Sequence, residues 1–228
     1  MKRSLIVLAV LLLVLPGALQ AQYFHLGPVV GAGASMETQK GKLLDAEFTT
    51  KGKMIFHFRA GLDVMLQLQQ DHGFEVLSGL SFLREGGTIE SVENSALKLN
   101  FKPTTTTFYS LMVPVRVGYS HFFGSVGIYA NLGPQFHIPL FGEVTTGDTK
   151  TKIDFSGKET TVQELLNEGV KPKLKRFGLT MSFHAGVTFK SFPMRIGTYY
   201  DLGLLSMNTA EHVKTTFSNF GAVAAFMF

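Results

Sequence analysis

The sequence predicts an all-β chain, an eight-stranded antiparallel up-and-down transmembrane β-barrel. Three observations predict it. Apolar residues recur with period two over eight stretches, and a strand, unlike a helix, separates such residues onto two faces. The connectors between those stretches alternate long and short, as in barrels whose tight turns share one membrane side. The composition is rich in Gly (24) and Phe (21) and only 17% charged, where soluble chains average roughly 25%. Such a chain buries apolar surface too readily to be a disordered segment. It holds no Cys, which excludes a disulfide scaffold, thiolate metal sites, a cysteine nucleophile and a lipid-modified N-terminal Cys.

Residues 1–21 read as a signal peptide. Lys2 and Arg3 form the positive start, Leu5 to Leu15 the apolar stretch, and Ala18-Leu19-Gln20-Ala21 the small-residue site, with cleavage expected after Ala21. The apolar run is short for a membrane helix, and no later stretch offers eighteen apolar residues. Residues 22–228 are then one barrel domain. Cleavage removes two cations and no acid, so the net charge of +4 falls to +2. A charge so small, without a nucleic-acid module, predicts no nucleic-acid partner.

The strands follow in order. Phe24–Met36 sets Leu26, Val30 and Ala32 against His25, Gly27, Gly31 and Gly33. Phe56–Leu68 is the cleanest, with Phe58, Ala60, Leu62, Val64 and Leu66 on one face and His57, Arg59, Gly61, Asp63 and Gln67 on the other. Phe74–Phe82 is noisier, because Leu77 falls on the small and polar face. Tyr109–Tyr119 sets Leu111, Val113, Val115 and Val117 against Ser110, Pro114, Arg116 and Gly118. Val126–Leu140 sets Ile128, Leu132, Phe136 and Ile138 against Tyr129, Asn131, Gln135 and His137. Phe177–Phe189 sets Leu179, Phe183 and Val187 against Thr180, Ser182, His184 and Thr188. Met194–Leu204 sets Ile196, Tyr200 and Leu202 against Arg195, Tyr199 and Asp201. Ser218–Phe228 sets Phe220, Ala222, Ala224 and Phe226 against Asn219, Gly221 and Val223. The long connectors are Glu37–Lys53, Arg84–Thr107 and Gly142–Lys175, the last carrying one or two helical turns at Val162–Asn167. The short ones are Gln70–Gly73, His121–Gly124 and Ser191–Pro193; Ser206–Thr215 is intermediate.

A soluble ligand-binding barrel also alternates, with its apolar face inward. Three features place the polar face inside here. It is rich in Gly and small residues, as a narrow interior requires. Its charges nearly cancel, Arg59, Arg116 and Arg195 against Asp63, Glu75 and Asp201, and buried charges survive only when paired. The apolar face ends in aromatics such as Tyr109, Tyr119, Phe177 and Phe189, where interfacial girdles sit. The expected interior polar cluster is Arg59, Asp63, Glu75, Arg116, His137, His184, Arg195 and Asp201.

The last strand ends with Phe226 and Phe228 on the face of Phe220, which resembles the terminal signature of outer-membrane barrels; the resemblance implies that barrel assembly machinery reads it. Tyr109–Tyr119 with Val113-Pro114, then Tyr129-Ala130-Asn131-Leu132-Gly133-Pro134, then Arg195 with Tyr199-Tyr200-Asp201-Leu202-Gly203-Leu204, resemble successive strands of the PorT-like outer membrane beta-barrel family. That resemblance implies a Gram-negative outer-membrane location and a faint link to protein secretion.

Candidate chemistry stands beside a plainer reading in each case. Ser182, His184 and Asp201 have the residue types of a lipid hydrolase, but their face is the interior one and no nucleophile elbow is present; interior polar residues are expected. His25, His57, His137 and His184 share that face without metal-site spacing, so no metal and no cofactor is expected. Lys171, Lys173, Lys175 and Arg176 form a basic run that suits lipopolysaccharide phosphates or simply a solvated loop base. Gly31-Ala32-Gly33, Gly86-Gly87 and Gly124 precede no helix, so small interior residues and tight turns explain them. A porin-like small-solute or hydrophobic-ligand conduit is the alternative function, against which stands an interior that eight strands leave barely wide enough for its side chains. The expected role is non-enzymatic, structural or interactive, through long external loops. The expected partners are outer-membrane lipid and lipopolysaccharide, the assembly machinery, and an envelope or secretion protein.

Overall fold

A computed structural model describes residues 23–43, 46–68, 72–93, 98–155, 174–208 and 213–228. The signal segment and the helical turns expected at Val162–Asn167 lie outside these residues. Ten strands are described: β1 (Tyr23–Leu43), β2 (Ala46–Lys51), β3 (Ile55–Gln67), β4 (His72–Glu93), β5 (Lys98–Phe123), β6 (Val126–Thr146), β7 (Thr149–Lys152), β8 (Gly178–Phe189), β9 (Met194–Gly203) and β10 (Val213–Phe226). Eight of them, β1, β3, β4, β5, β6, β8, β9 and β10, pair with sequential neighbours, and β10 returns to β1. Every pairing is antiparallel. The ring is therefore closed, as lipid requires of a spanning sheet, because an open edge would leave backbone groups without partners. Leu26 and Phe228 exchange both backbone hydrogen bonds at 3.0 and 3.1 Å, continuing the closing seam to the last residue.

The two remaining strands share columns with strands of the ring. Thr38 pairs Lys51 on β2, and Ser35 pairs Ile55 on β3. The register thus slips by one residue across residues 52–54, so β2 and β3 are one strand interrupted by a bulge. Similarly, β7 pairs β6 above the point where β8 takes over. Residues 154–155 and 174–176 are tied together, Leu174 N–H donating to Asp154 O at 2.9 Å and the Arg176 Nε–H to Phe155 O at 2.7 Å.

β1, β4, β5, β6 and β10 run past the expected lengths. Glu37–Lys53 and Arg84–Thr107, expected as long connectors, are largely hairpins: β1 continues to Leu43, β4 to Glu93, and β5 begins at Lys98. Period-two alternation of apolar with polar residues marks a strand only where one face meets lipid; beyond the bilayer both faces are polar and the signal fades. Tyr109 and Tyr119, the aromatic ends of the lipid-facing part of β5, are ten residues apart. That is ~33 Å along a strand and about 25 Å along the membrane normal at a tilt of about 40°, the usual height of the apolar band. Tyr109 stacks with Phe82 and Phe141 at 5.6 and 4.7 Å between ring centroids. Tyr119 meets Phe74 edge-on at 5.6 Å. These pairs belong to the two interfacial girdles. The side chains between them, such as Leu62, Leu80, Val117, Ile128 and Leu132, are exposed apolar groups, which only a lipid solvent makes favourable.

Candidate functional site

Inward residues of β3, β4, β5, β6, β8 and β9 converge because side chains of period two share one face and the ring turns that face inward. All eight residues of the expected interior cluster are 5% exposed or less. They divide into three layers.

Nearest the short turns, Arg195 donates to Glu75 Oε1 at 2.8 Å. Its guanidinium lies 3.9 Å from the Tyr129 ring centroid, and its second arm reaches the Met65 sulfur at 2.8 Å. In the middle layer Arg116 donates to Asp63 Oδ2 at 2.9 Å and to His184 Nδ1 at 2.8 Å. Arg59 approaches the other side of the His184 ring at 3.4 Å and stacks over Tyr199 at 4.1 Å. A guanidinium can only donate, so the His184 nitrogen facing Arg116 is an acceptor. Beside this layer Ser182 donates to Asp201 Oδ1 at 2.5 Å. The third layer centres on Glu85. Its carboxylate receives His137 Nδ1 at 3.2 Å, Ser110 Oγ at 3.2 Å and Asn219 Nδ2 at 3.4 Å. His137 Nε2 contacts Thr180 Oγ1 at 3.0 Å.

Apolar side chains pack above and among these layers. Phe108, Ile153, Leu174, Met207 and Phe217 pack together at the long-loop end, with Phe108 and Phe217 edge-to-face at 4.8 Å. Val29, Leu77, Tyr199, Val223 and Met227 form a second cluster towards the short turns. Leu77, the residue that spoiled its strand's alternation, belongs to that cluster.

Glu85 is the member that sequence reasoning missed, together with Glu37, which is 2% exposed. Both fall in stretches expected as loops. The available signal was spacing: Glu85 continues the inward series of Glu75, Leu77, Gly79, Ser81 and Leu83. Of the two explanations offered for Gly86-Gly87, small interior residues and a tight turn, the first holds and the turn does not. The pair lies inside β4, where β1 crosses onto β4 above the bulge between β2 and β3. Ser35 Oγ donates to Gly86 O at 2.8 Å and accepts from Gly86 N at 2.9 Å. A Cβ on Gly87 would stand 2.4 Å from Glu37 N, and Gly86 holds φ at +153°. Close backbone approach demands these glycines.

The hydrolase arrangement does not form. His184 is held by two arginines, and Ser182 is fully buried beside Asp201. The four histidines are dispersed: His25 lines the short-turn mouth, His57 Nδ1–H donates to Arg84 O at 2.6 Å, and His137 and His184 occupy different layers. Among the described residues no group of three His, Cys, Asp or Glu is placed to hold a metal. Of the basic run, Lys175 and Arg176 are exposed just above Phe177; Lys171 and Lys173 lie outside the described residues. Phe226 lies on β10 and packs edge-on against Phe192 at 5.6 Å, and Phe228 is exposed at the seam.

Residues 20–208 match the family described as outer membrane protein beta-barrel domain. Solved structures with a similar course include Ail of Yersinia pestis, at 15% identity over 90% of this chain and 100% of that one, with a TM-score of 0.34. Neisserial surface protein A matches at 14% identity over 88% and 97%, TM-score 0.40. OprG of Pseudomonas aeruginosa matches at 10% identity over 88% and 95%, TM-score 0.39. No curated protein matches the chain.

Proposed function

The chain belongs to the outer membrane protein beta-barrel domain family, and on that premise we propose that it works as a non-enzymatic interaction protein, a rigid barrel that presents recognition hairpins outside the outer membrane. The observation that carries this reading is the height of the β4–β5 hairpin. It pairs continuously, apart from one bulge, from Arg84 and Tyr109 at the outer girdle to Glu93 and Lys98. Nine residues of strand beyond the girdle reach ~30 Å, an outlay of ordered backbone that lipid crossing alone does not need. Loops on a rigid scaffold are where recognition residues concentrate.

The filled interior argues against the conduit reading. Three arginines, two of them paired with carboxylates, cross the lumen of an eight-stranded ring, and an apolar cluster packs over the stack at the long-loop end. The partner we favour is an envelope protein, in keeping with the PorT-like motifs and their link to secretion. A contact with lipopolysaccharide phosphates is proposed for Lys175 and Arg176, both exposed, with Lys171 and Lys173 nearby in sequence. The N-terminal segment is proposed to be cleaved after Ala21.

The test is site-specific photocrosslinking from positions 94–97, which follow β4 and precede β5 in sequence, in cells, beside single-channel recording of the purified protein. A discrete crosslinked protein together with a silent bilayer supports the reading. A steady open-channel conductance and no crosslink would replace it with the conduit.

A further inference from the structure

We propose that the short-turn mouth of the barrel is a binding site for a small amphipathic carboxylate. A cavity of about 230 Å³ opens there. Short turns of such barrels face the periplasm, so the site is presented to periplasmic solutes. For scale, a dry apolar cavity of about 150 Å³ takes up benzene, so this one has room for a ring bearing a short acidic arm.

The lining divides by chemistry. Met194, Met227 and Phe122 supply apolar wall, and methionine walls adapt their shape to a ligand. Arg195, Lys190 and His25 supply the polar contacts, and none of the lining residues is acidic. Arg195 forms the inner end. Its Glu75 pair and the Tyr129 ring behind it close the way into the barrel, so the cavity is blind. Lys190 stands near the rim, with its ammonium 5.1 Å from the Phe122 ring centroid. Lys190 at the rim, beside the Phe122 ring and the methionines and with no acidic lining residue near it, matches a molecule with one carboxylate and a hydrocarbon body. A neutral ring leaves Lys190 unused, and a dianion brings more charge than an apolar cavity tolerates.

The test titrates 4-fluorophenylacetate by fluorine NMR against the full mature protein folded in zwitterionic lipid nanodiscs, with empty nanodiscs as blank. Saturable binding is expected, with 4-fluorobenzyl alcohol binding at least tenfold more weakly. Lys190→Glu, an exposed change, is expected to weaken the carboxylate at least tenfold while leaving the alcohol unchanged. Thr188→Phe, which fills the cavity, is expected to abolish both. The Lys190 variant decides the matter if the Thr188 variant fails to fold. No signal above empty nanodiscs, equal affinity for acid and alcohol, or indifference to Lys190→Glu would each overturn the proposal. The outcome is independent of whether the external hairpins find a protein partner.

Discussion

Replacing Asp63 by Asn keeps the side chain's shape and removes its charge, leaving Arg116 buried beside Arg59. The Arg116–Asp63 contact is 2.9 Å long, with side chains 3% and 8% exposed. At that separation two unit charges attract by about 6 kcal/mol at an effective dielectric of 20, and by about 1.4 kcal/mol in bulk water. Breaking a buried pair on one side leaves an uncompensated ion and costs about 3–5 kcal/mol, whereas exposed pairs contribute about 1 kcal/mol or less. Asp63→Asn should therefore lower the folding equilibrium constant by roughly a thousandfold, at about 1.4 kcal/mol per tenfold. The chain has no Trp, so the suitable assay is urea unfolding in lipid vesicles followed by the gel mobility of unboiled samples. The double variant Asp63→Leu with Arg116→Met should recover most of the loss, because it removes both charges together. A cost for Asp63→Asn below about 1 kcal/mol would refute the reasoning. It would mean that water screens the interior, and the conduit would then be the better account of the protein.

Three further outcomes are expected. Gly87→Val places a side chain against the Glu37 backbone, where even a Cβ would stand 2.4 Å from Glu37 N. It should cost about 1–3 kcal/mol or more, read as loss of the fast-migrating unboiled band. Glu37 lies on the external side of the outer girdle, and burial raises the pKa of its carboxyl. The folded state then holds a proton that the unfolded state releases, so this residue's contribution to stability is lost as pH rises through the folded pKa. Glu37→Gln should match the parent in acid and become the more stable protein as pH rises; a difference that shrinks with rising pH would contradict this. Deleting Phe228 removes the backbone pair with Leu26 and the proposed assembly signal, and should lower the membrane-inserted fraction severalfold in cells while a Phe228→Tyr variant inserts normally.

The sequence by itself determined the ring and its polarity. Lipid on one face and packed polar groups on the other impose period two, and that period is visible wherever both phases are present, as in Phe56–Leu68 and Tyr109–Tyr119. The same logic identified Arg59, Arg116 and Arg195 as interior residues with carboxylate counterparts. It did not reveal which cation meets which anion. Arg116 takes Asp63 and Arg195 takes Glu75, while Asp201 accepts from Ser182 and Arg59 stacks on Tyr199. Those choices depend on register and on depth within the ring, and residues on β4 and β9 meet only because the sheet closes. The sequence was also silent above the girdles. There both faces of each strand meet polar surroundings, the periodic signal vanishes, and Glu37, Glu85 and the Gly86-Gly87 crossing pass for loop. Tertiary structure decided them because their partners, Ser35 across the β1–β4 crossing and Asn219 and His137 across the lumen, lie 51 residues or more away along the chain.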